Sequence, residues 1–327
     1  MEGIIEVKGA ALVETNSIFT AEMVSRWIKF AGVSEKSEAT YRMAIRQMFR
    51  YFTDNSISRP AREDLENWRD ELIAAKKSAS TVQLYLTSAK LFFRWLAQEG
   101  LYGNIADHIK SRVKISHEHK KDALSAEQSA NLIKAISGNS EKSLRDRAIL
   151  ALMLTAGLRT IEIERANADD FSYFNGDCFM RVQGKGHSAK DQLVRVDSRV
   201  KAMIDEYLKT RSNVVADDVG TPLFTSTARL NKGARLSTQT VRKMVKANLR
   251  AIGLDDKRLS AHSLRHSAAL QMLLGGASLE QVQQSLRHVS LNTTMIYHHA
   301  IERAKNPAEI FAANAVFTAL DAITAAA

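Results

Sequence analysis

The sequence predicts a mainly helical protein of two domains. An N-terminal bundle of four helices is followed by a larger, mixed α+β domain with a small β-hairpin. Three observations carry this. Apolar residues recur at helical spacing along most of the chain. Between Cys178 and Val196 the period changes to two. Residues 109–122, Ile-Lys-Ser-Arg-Val-Lys-Ile-Ser-His-Glu-His-Lys-Lys-Asp, show no period and are strongly basic, as a linker would be. A chain of 327 residues with only three prolines has room for two such domains, each with its own core. The expected boundaries are 18–108 for the bundle, 109–122 for the linker and 123–327 for the mixed domain.

The first helix is expected over Thr20 to Ala31, where Met23, Val24, Trp27, Ile28 and Ala31 share a face. In Ser37 to Thr53, Tyr41, Ile45, Met48, Phe49 and Phe52 do the same, while Arg42, Arg46 and Arg50 stand four apart on another face. A third pattern starts near Pro60 with Leu65, Trp68 and Leu72. A fourth runs from about Ser80 to Gln98 with Leu84, Ala89, Phe92, Phe93 and Leu96, and Gly100 stops it.

After the linker, Ser125 and Gln128 form a capping box that opens a new helix. Another helix covers Leu144 to Ala156 and ends at Gly157. Cys178, Met180 and Val182 then alternate, Gly184-Lys185-Gly186 turns, and alternation resumes from Leu193 to Asp197, which reads as a hairpin with its lysine near the tip. Helical patterns return at about Arg199 to Thr210, Thr238 to Ile252, Ser263 to Leu274 and Leu279 to Arg287, the last opened by a Ser278–Gln281 capping box.

Charge narrows the function. The chain carries 46 Lys and Arg against 36 Asp and Glu, a net +10. The first 120 residues hold 18 basic and 15 acidic side chains, so both halves are basic and a polyanionic partner is expected. A single cysteine, Cys178, excludes an internal disulfide framework and suits a reducing cytoplasm. No apolar run approaches the roughly 20 residues of a membrane span. The N-terminus lacks the basic and apolar regions of a signal peptide. The nearest acidic pairs, Asp169-Asp170 and Asp217-Asp218, read as loops and not as a two-metal site, so no metal and no cofactor is expected.

Three groups of residues could carry chemistry. Arg159 follows a helix-ending glycine, and Glu162 three residues on could hold its guanidinium; a structural ion pair fits the same pattern. His262 and Arg265 would share a helical face, where an arginine could fork onto a phosphate and a histidine could move a proton; a capping histidine beside a surface arginine fits equally. His288 is followed by a Ser/Asn/Thr-rich turn and, nine residues on, by Tyr297. A tyrosine is ordinarily half-buried core, yet cations nearby would favour its phenolate and make it a nucleophile.

Taken in order, these residues resemble the tyrosine recombinase (phage integrase) family. The first arginine motif of that family is similar to Ala156-Gly157-Leu158-Arg159-Thr160-Ile161-Glu162, and its hairpin lysine to Gly184-Lys185-Gly186. Its His-x-x-Arg is similar to His262 and Arg265. Its Leu-Gly-His…Thr-Thr…Tyr is similar to Leu286, His288, Thr293, Thr294 and Tyr297. The helical N-terminal part resembles the core-binding, SAM-like domain, so the likeness runs from about residue 18 to 300. One position departs: the glycine usual before the second histidine is Arg287, and a different local turn is expected there. About 18 residues precede the first helix, too few for a folded arm-binding domain, so a two-domain recombinase is expected.

The resemblance implies the following chemistry. Tyr297 attacks a phosphodiester, leaving a 3′-phosphotyrosine and a free 5′-hydroxyl. Arg159 and Arg265 stabilise charge on the non-bridging oxygens, with Glu162 in support. Lys185 protonates the departing 5′-oxygen, His262 handles the proton on the tyrosine side, and His288 hydrogen-bonds the phosphate. Neither metal nor ATP is needed. Double-stranded DNA would be gripped from two sides, with Arg42, Arg46, Arg50, Lys110, Arg112, Lys114, Arg242, Lys243, Lys246 and Arg250 as candidate contacts; a solvated helix face is the alternative for each. The Ala-rich tail, with Ile310, Phe311, Val316, Phe317 and Leu320, would pass a helix to a neighbour and close a homo-tetramer on DNA. The implied protein is cytoplasmic and nucleoid-associated, with room for an accessory DNA-bending or directionality protein. A type IB topoisomerase-like enzyme and a catalytically inactive DNA-binding regulator are the alternatives.

Overall fold

A computed structural model describes residues 3–4, 14–15, 19–112, 123–184, 187, 189–211, 220–287 and 312–318. The chain forms two compact units, Met1–His117 and Glu118–Ala327. Among the described residues no helix is long and apolar enough to cross a membrane.

The first unit opens with a two-residue ladder that the sequence does not announce, β1 (Gly3–Ile4) antiparallel to β2 (Glu14–Thr15). Four helices follow: α1 (Ala21–Ala31), α2 (Glu35–Asp54), α3 (Arg62–Ala74) and α4 (Ala79–Gln98). Thr20, Ser34 and Ser78 cap α1, α2 and α4 by accepting a backbone N–H three residues on. The apolar faces meet in an aromatic-rich core of Trp27, Trp68, Phe92, Phe93 and Trp95, joined by Ile45, Met48, Leu65 and Leu96. Trp27 and Phe92 pack edge to face with ring centroids 5.4 Å apart.

Among its described residues the second unit is mainly helical with one small sheet. α5 (Ala126–Lys134) starts at the expected Ser125–Gln128 capping box. α6 (Glu141–Thr155) is buried from Leu144 to Leu154 on nearly every side, as befits the central helix of a domain, and α8 (Ser198–Lys209) and α10 (Ala261–Leu274) pack on it. α7 (Thr160–Arg165) is short and contacts α9 (Thr238–Ala251); α11 (Leu279–Leu286) packs on α10 through Ala269, Leu273, Val282 and Leu286.

The sheet has three antiparallel strands, β3 (Phe171–Phe174), β4 (Asp177–Val182) and β5 (Gln192–Val196), in that order. Cys178, Met180 and Val182 of β4 and Val194 and Val196 of β5 face the core, as their alternation predicts. β3 escapes the sequence reading because Ser172, Tyr173 and Phe174 are exposed and give no two-residue pattern. The hairpin turn is wider than a Gly-Lys-Gly turn. Val182 pairs with Gln192, so the connection runs from 183 to 191. Arg165 donates to the Gly184 carbonyl at 3.0 Å, and His187 Nδ1 lies 2.8 Å from the Asp191 carboxylate, which anchors this loop at both ends. Residues 312–318 are helical and exposed, Val316 and Phe317 included.

Candidate active site

The site is built where the α6–α7 corner, α10 and the end of α11 converge. The corner turns on Gly157. Its φ of +62° suits a residue without a side chain, and a Cβ there would stand 2.3 Å from Leu286 Cδ2. Glycine is therefore required twice, for the turn and for the approach of α11.

Arg159 caps α7. Its backbone N–H donates to Glu162 Oε2 at 2.8 Å and its Nη1 to Glu162 Oε1 at 2.9 Å. The expected Arg159–Glu162 ion pair is thus present, with Glu162 fully buried and Arg159 partly open. Arg159 Nη2 also reaches the Arg287 carbonyl at 3.4 Å.

Arg265, on α10, is buried. Its Nη1 donates to the Gly157 carbonyl at 2.6 Å and its Nη2 to the Leu286 carbonyl. The two arginines, over a hundred positions apart, are therefore fastened to the same corner. Burial, with the Arg159 and Arg287 charges, pushes the Arg265 guanidinium down to about 9, while Glu162 acts in the opposite sense. It remains charged at neutral pH, at a cost that an anion beside it would relieve.

His262 lies one turn before Arg265 and is exposed; its ring centroid is 4.3 Å from that of His266, which is buried. Lys185, His288 and Tyr297 lie outside the described residues.

The structure adds a residue that the motif reading did not count. Arg287 follows α11 with φ +55° and ψ +47°, the left-handed conformation in which a helix-ending glycine is common. Its Nη2 donates to Glu162 Oε2 at 2.7 Å and its Nη1 to the Ser285 carbonyl at 2.6 Å. The side chain is 4% exposed, and burial pushes its guanidinium down from the usual arginine value. The available signal was an arginine standing at a glycine position beside a site motif.

Two guanidiniums, Arg159 and Arg287, thus hold one carboxylate, and a third, Arg265, is fastened to the same corner within reach of its charge. The excess of two positive charges, with Arg159 partly open to solvent, suits an oxyanion held by forked N–H donors. Among the described residues no cluster of three or more His, Cys, Asp or Glu side chains forms a metal-binding group.

The candidate DNA contacts divide by their partners. On α2, Arg46 and Arg50 are exposed, while Arg42 pairs with Glu38 at 2.7 Å. Lys110 is exposed; Arg112 lies 3.5 Å from Asp70; Lys114 is outside the described residues. On α9, Arg242 and Lys243 are exposed. Lys246 and Arg250 instead engage Asp255 at 3.2 and 2.9 Å, which holds that carboxyl below its usual value. Of the tail residues, Ile310, Phe311 and Leu320 are outside the described residues.

Comparison with known proteins places this geometry in context. Residues 122–303 match the phage integrase family, and residues 28–100 match the phage integrase N-terminal SAM-like domain. The tyrosine recombinase XerC of Thermodesulfovibrio yellowstonii is 33% identical over 235 residues, covering 70% of this chain and 74% of that protein. The tyrosine recombinase XerD of Yersinia pestis is 27% identical over 301 residues, covering 89% and 96%. The fold resembles a XerH site-specific recombinase bound to palindromic difH substrate in a post-cleavage complex, with TM-score 0.68, 20% identity and coverage of 91% and 86%. It also resembles the Tn1549 transposon integrase in complex with circular intermediate DNA, with TM-score 0.66, 17% identity and coverage of 84% and 94%.

Proposed function

This chain belongs to the phage integrase family and is a tyrosine-type site-specific DNA recombinase; from that premise we propose that Tyr297, Arg159, Arg265, Lys185, His262 and His288 carry its strand transfer, with Glu162 holding Arg159. The observation that supports this assignment best is the cationic corner. Arg159 and Arg265, the two positions that the family motif assigns to phosphate, are fastened to one turn with charge to spare.

Each step follows from the residue types. The Tyr297 phenol gives up its proton, with His262 as acceptor, and its oxygen attacks phosphorus. The bond to the 5′-oxygen breaks, and Lys185 supplies the proton that this oxygen takes up. The two guanidiniums stabilise the added charge on the non-bridging oxygens, and His288 donates a further hydrogen bond. The 3′-phosphotyrosine ester replaces the broken phosphoester bond, so the 5′-hydroxyl of a partner strand can attack it, release the tyrosine and rejoin the strand without ATP.

Double-stranded DNA is the substrate. Arg46 and Arg50 of the first unit and Arg242 and Lys243 of the second are the best-placed backbone contacts, since their charges face solvent. The domains run 18–108, 109–122 and 123–327, and the tail after Tyr297 serves assembly into a tetramer on DNA. Such a protein works in the cytoplasm at the nucleoid.

Trapping tests the assignment. Purified protein is incubated with sheared genomic DNA carrying nicked suicide sites, with chelator present, then denatured. A covalent protein–DNA adduct that vanishes in Tyr297→Phe is expected, and sequencing the attached DNA identifies the target. An adduct that persists in Tyr297→Phe, or none from DNA that the protein binds, would overturn it.

A further inference from the structure

We infer that Arg287 is a positioning residue for the phosphate: its guanidinium neutralises Glu162, so that Glu162 fixes Arg159 without cancelling Arg159's charge. The inference rests on reading the corner as the phosphate site.

The geometry is specific. Glu162 is buried and accepts from three donors, the Arg159 backbone N–H, Arg159 Nη1 and Arg287 Nη2. If Arg159 alone faced this carboxylate, the pair would be neutral, and Arg159 would attract an oxyanion weakly. Arg287 supplies the compensating charge from the closed side. At 4% exposure it faces the carboxylate and not solvent, whereas Arg159 stays partly open. The result is a carboxylate that orients two cations and leaves net positive charge on the open one.

Two features argue that Arg287 is more than a helix cap. A cap here needs only a residue at ease with φ +55°, which glycine provides and an arginine tolerates under strain. Also, its Nε is buried without a hydrogen-bond partner among the described residues, so the arginine is held despite an unmade bond. Capping explains neither; a charge opposite Glu162 explains both. The backbone contributes as well, because the Leu286 and Arg287 carbonyls receive Arg265 and Arg159. The end of α11 therefore orients both phosphate arginines while its side chain sets their charge.

The test uses the full chain and inorganic phosphate, titrated by calorimetry at ionic strength held constant with chloride. Four proteins are compared with the wild type: Arg159→Ala, Arg287→Met, Arg287→Gly and Arg287→Lys. Methionine keeps most of the volume without the charge. Glycine suits the left-handed backbone and serves as the uncharged variant should methionine fail to fold. The uncharged variants are expected to weaken phosphate binding about tenfold, the scale of one unit charge acting through a partly buried medium. Arg287→Lys should return to within about threefold of wild type, because a point charge suffices for neutralisation. Phosphate affinity unchanged in the uncharged variants, whatever their melting temperature, would reduce Arg287 to a cap and overturn the inference. Lysine as weak as methionine would overturn it too. Binding that survives Arg159→Ala would place the phosphate elsewhere and overturn the site reading along with it.

Discussion

Two of the buried charge groups among the described residues of the second unit are built differently. On α6, Arg145 and Asp146 are both buried and face each other one to one. Arg145 donates to Asp146 through Nε and Nη2 at 2.9 and 2.6 Å and to the Thr225 carbonyl through Nη1 at 2.8 Å. At the α6–α7 corner three guanidiniums stand near a single carboxylate, which pairs with Arg159 and Arg287, while Arg265 bonds backbone carbonyls. The first group is balanced and hydrogen-bonded within the fold. The second is not balanced, and burial with mutual repulsion lowers Arg265. A balanced buried pair holds structure together; an unbalanced one stores affinity for the charge it lacks.

The largest expected effect comes from the corner. Arg265→Ala removes a guanidinium to which the proposed mechanism gives the developing charge, and loss of one such donor typically costs about 10²–10³-fold in rate. The check is the rate of covalent adduct formation on the target recovered by trapping. An Arg265→Ala enzyme within about tenfold of wild type would break the comparison, because the excess charge would then have no catalytic role.

The balanced pair should instead respond in stability. Burial raises the Asp146 carboxyl above its usual value, and Arg145 pulls it back. Arg145→Met removes the pull, so the folded-state value rises further above the unfolded one. A group raised in this way contributes its stability below the unfolded value, near 3.8, and loses it as pH climbs toward the folded value. The deficit of Arg145→Met against wild type should therefore be small near pH 4 and reach about 3 kcal/mol near neutrality, as urea unfolding would measure. Phosphate affinity should not change. A fall like that expected for Arg287→Met would mean that the two groups act as one.

Gly157→Ala probes what joins the corner together. It meets both the positive φ and the 2.3 Å approach to Leu286, and the two should together cost about 2–4 kcal/mol. In a double-mutant cycle, Leu286→Ala should recover the steric part and leave the backbone part. Full additivity of the two substitutions would remove the contact as the cause.

These regions were unequally legible. Each of the four described helices of the first unit showed in apolar spacing, and the Ser125 and Ser278 capping boxes are where their residue pairs indicate, because caps and amphipathic faces are local. Arg159 and Glu162 also signal each other at short range. Arg287 did not, since its partner Glu162 lies 125 positions away and only the fold brings them together. β3 was hidden for the opposite reason: its exposed Tyr173 and Phe174 carry no burial pattern to detect. The basic stripe on α9 looked uniform, yet Asp255, beyond the end of the helix, divides it.

That division gives the smallest effect and extends the comparison to the surface. Arg242 has no ion pair among the described residues, whereas Arg250 already faces Asp255 at 2.9 Å. A phosphate contact made by Arg242 releases a counterion from DNA and costs no pre-existing partner. The same contact made by Arg250 must compete with a carboxylate. Arg242→Ala should therefore lower the slope of log affinity against log salt by about 1. Arg250→Ala should lower it by less, and the difference should disappear when Asp255→Asn is added. Equal slopes for the two single variants would mean that surface pairing with Asp255 does not decide which cations DNA uses, and compensation would then matter only where charge is buried.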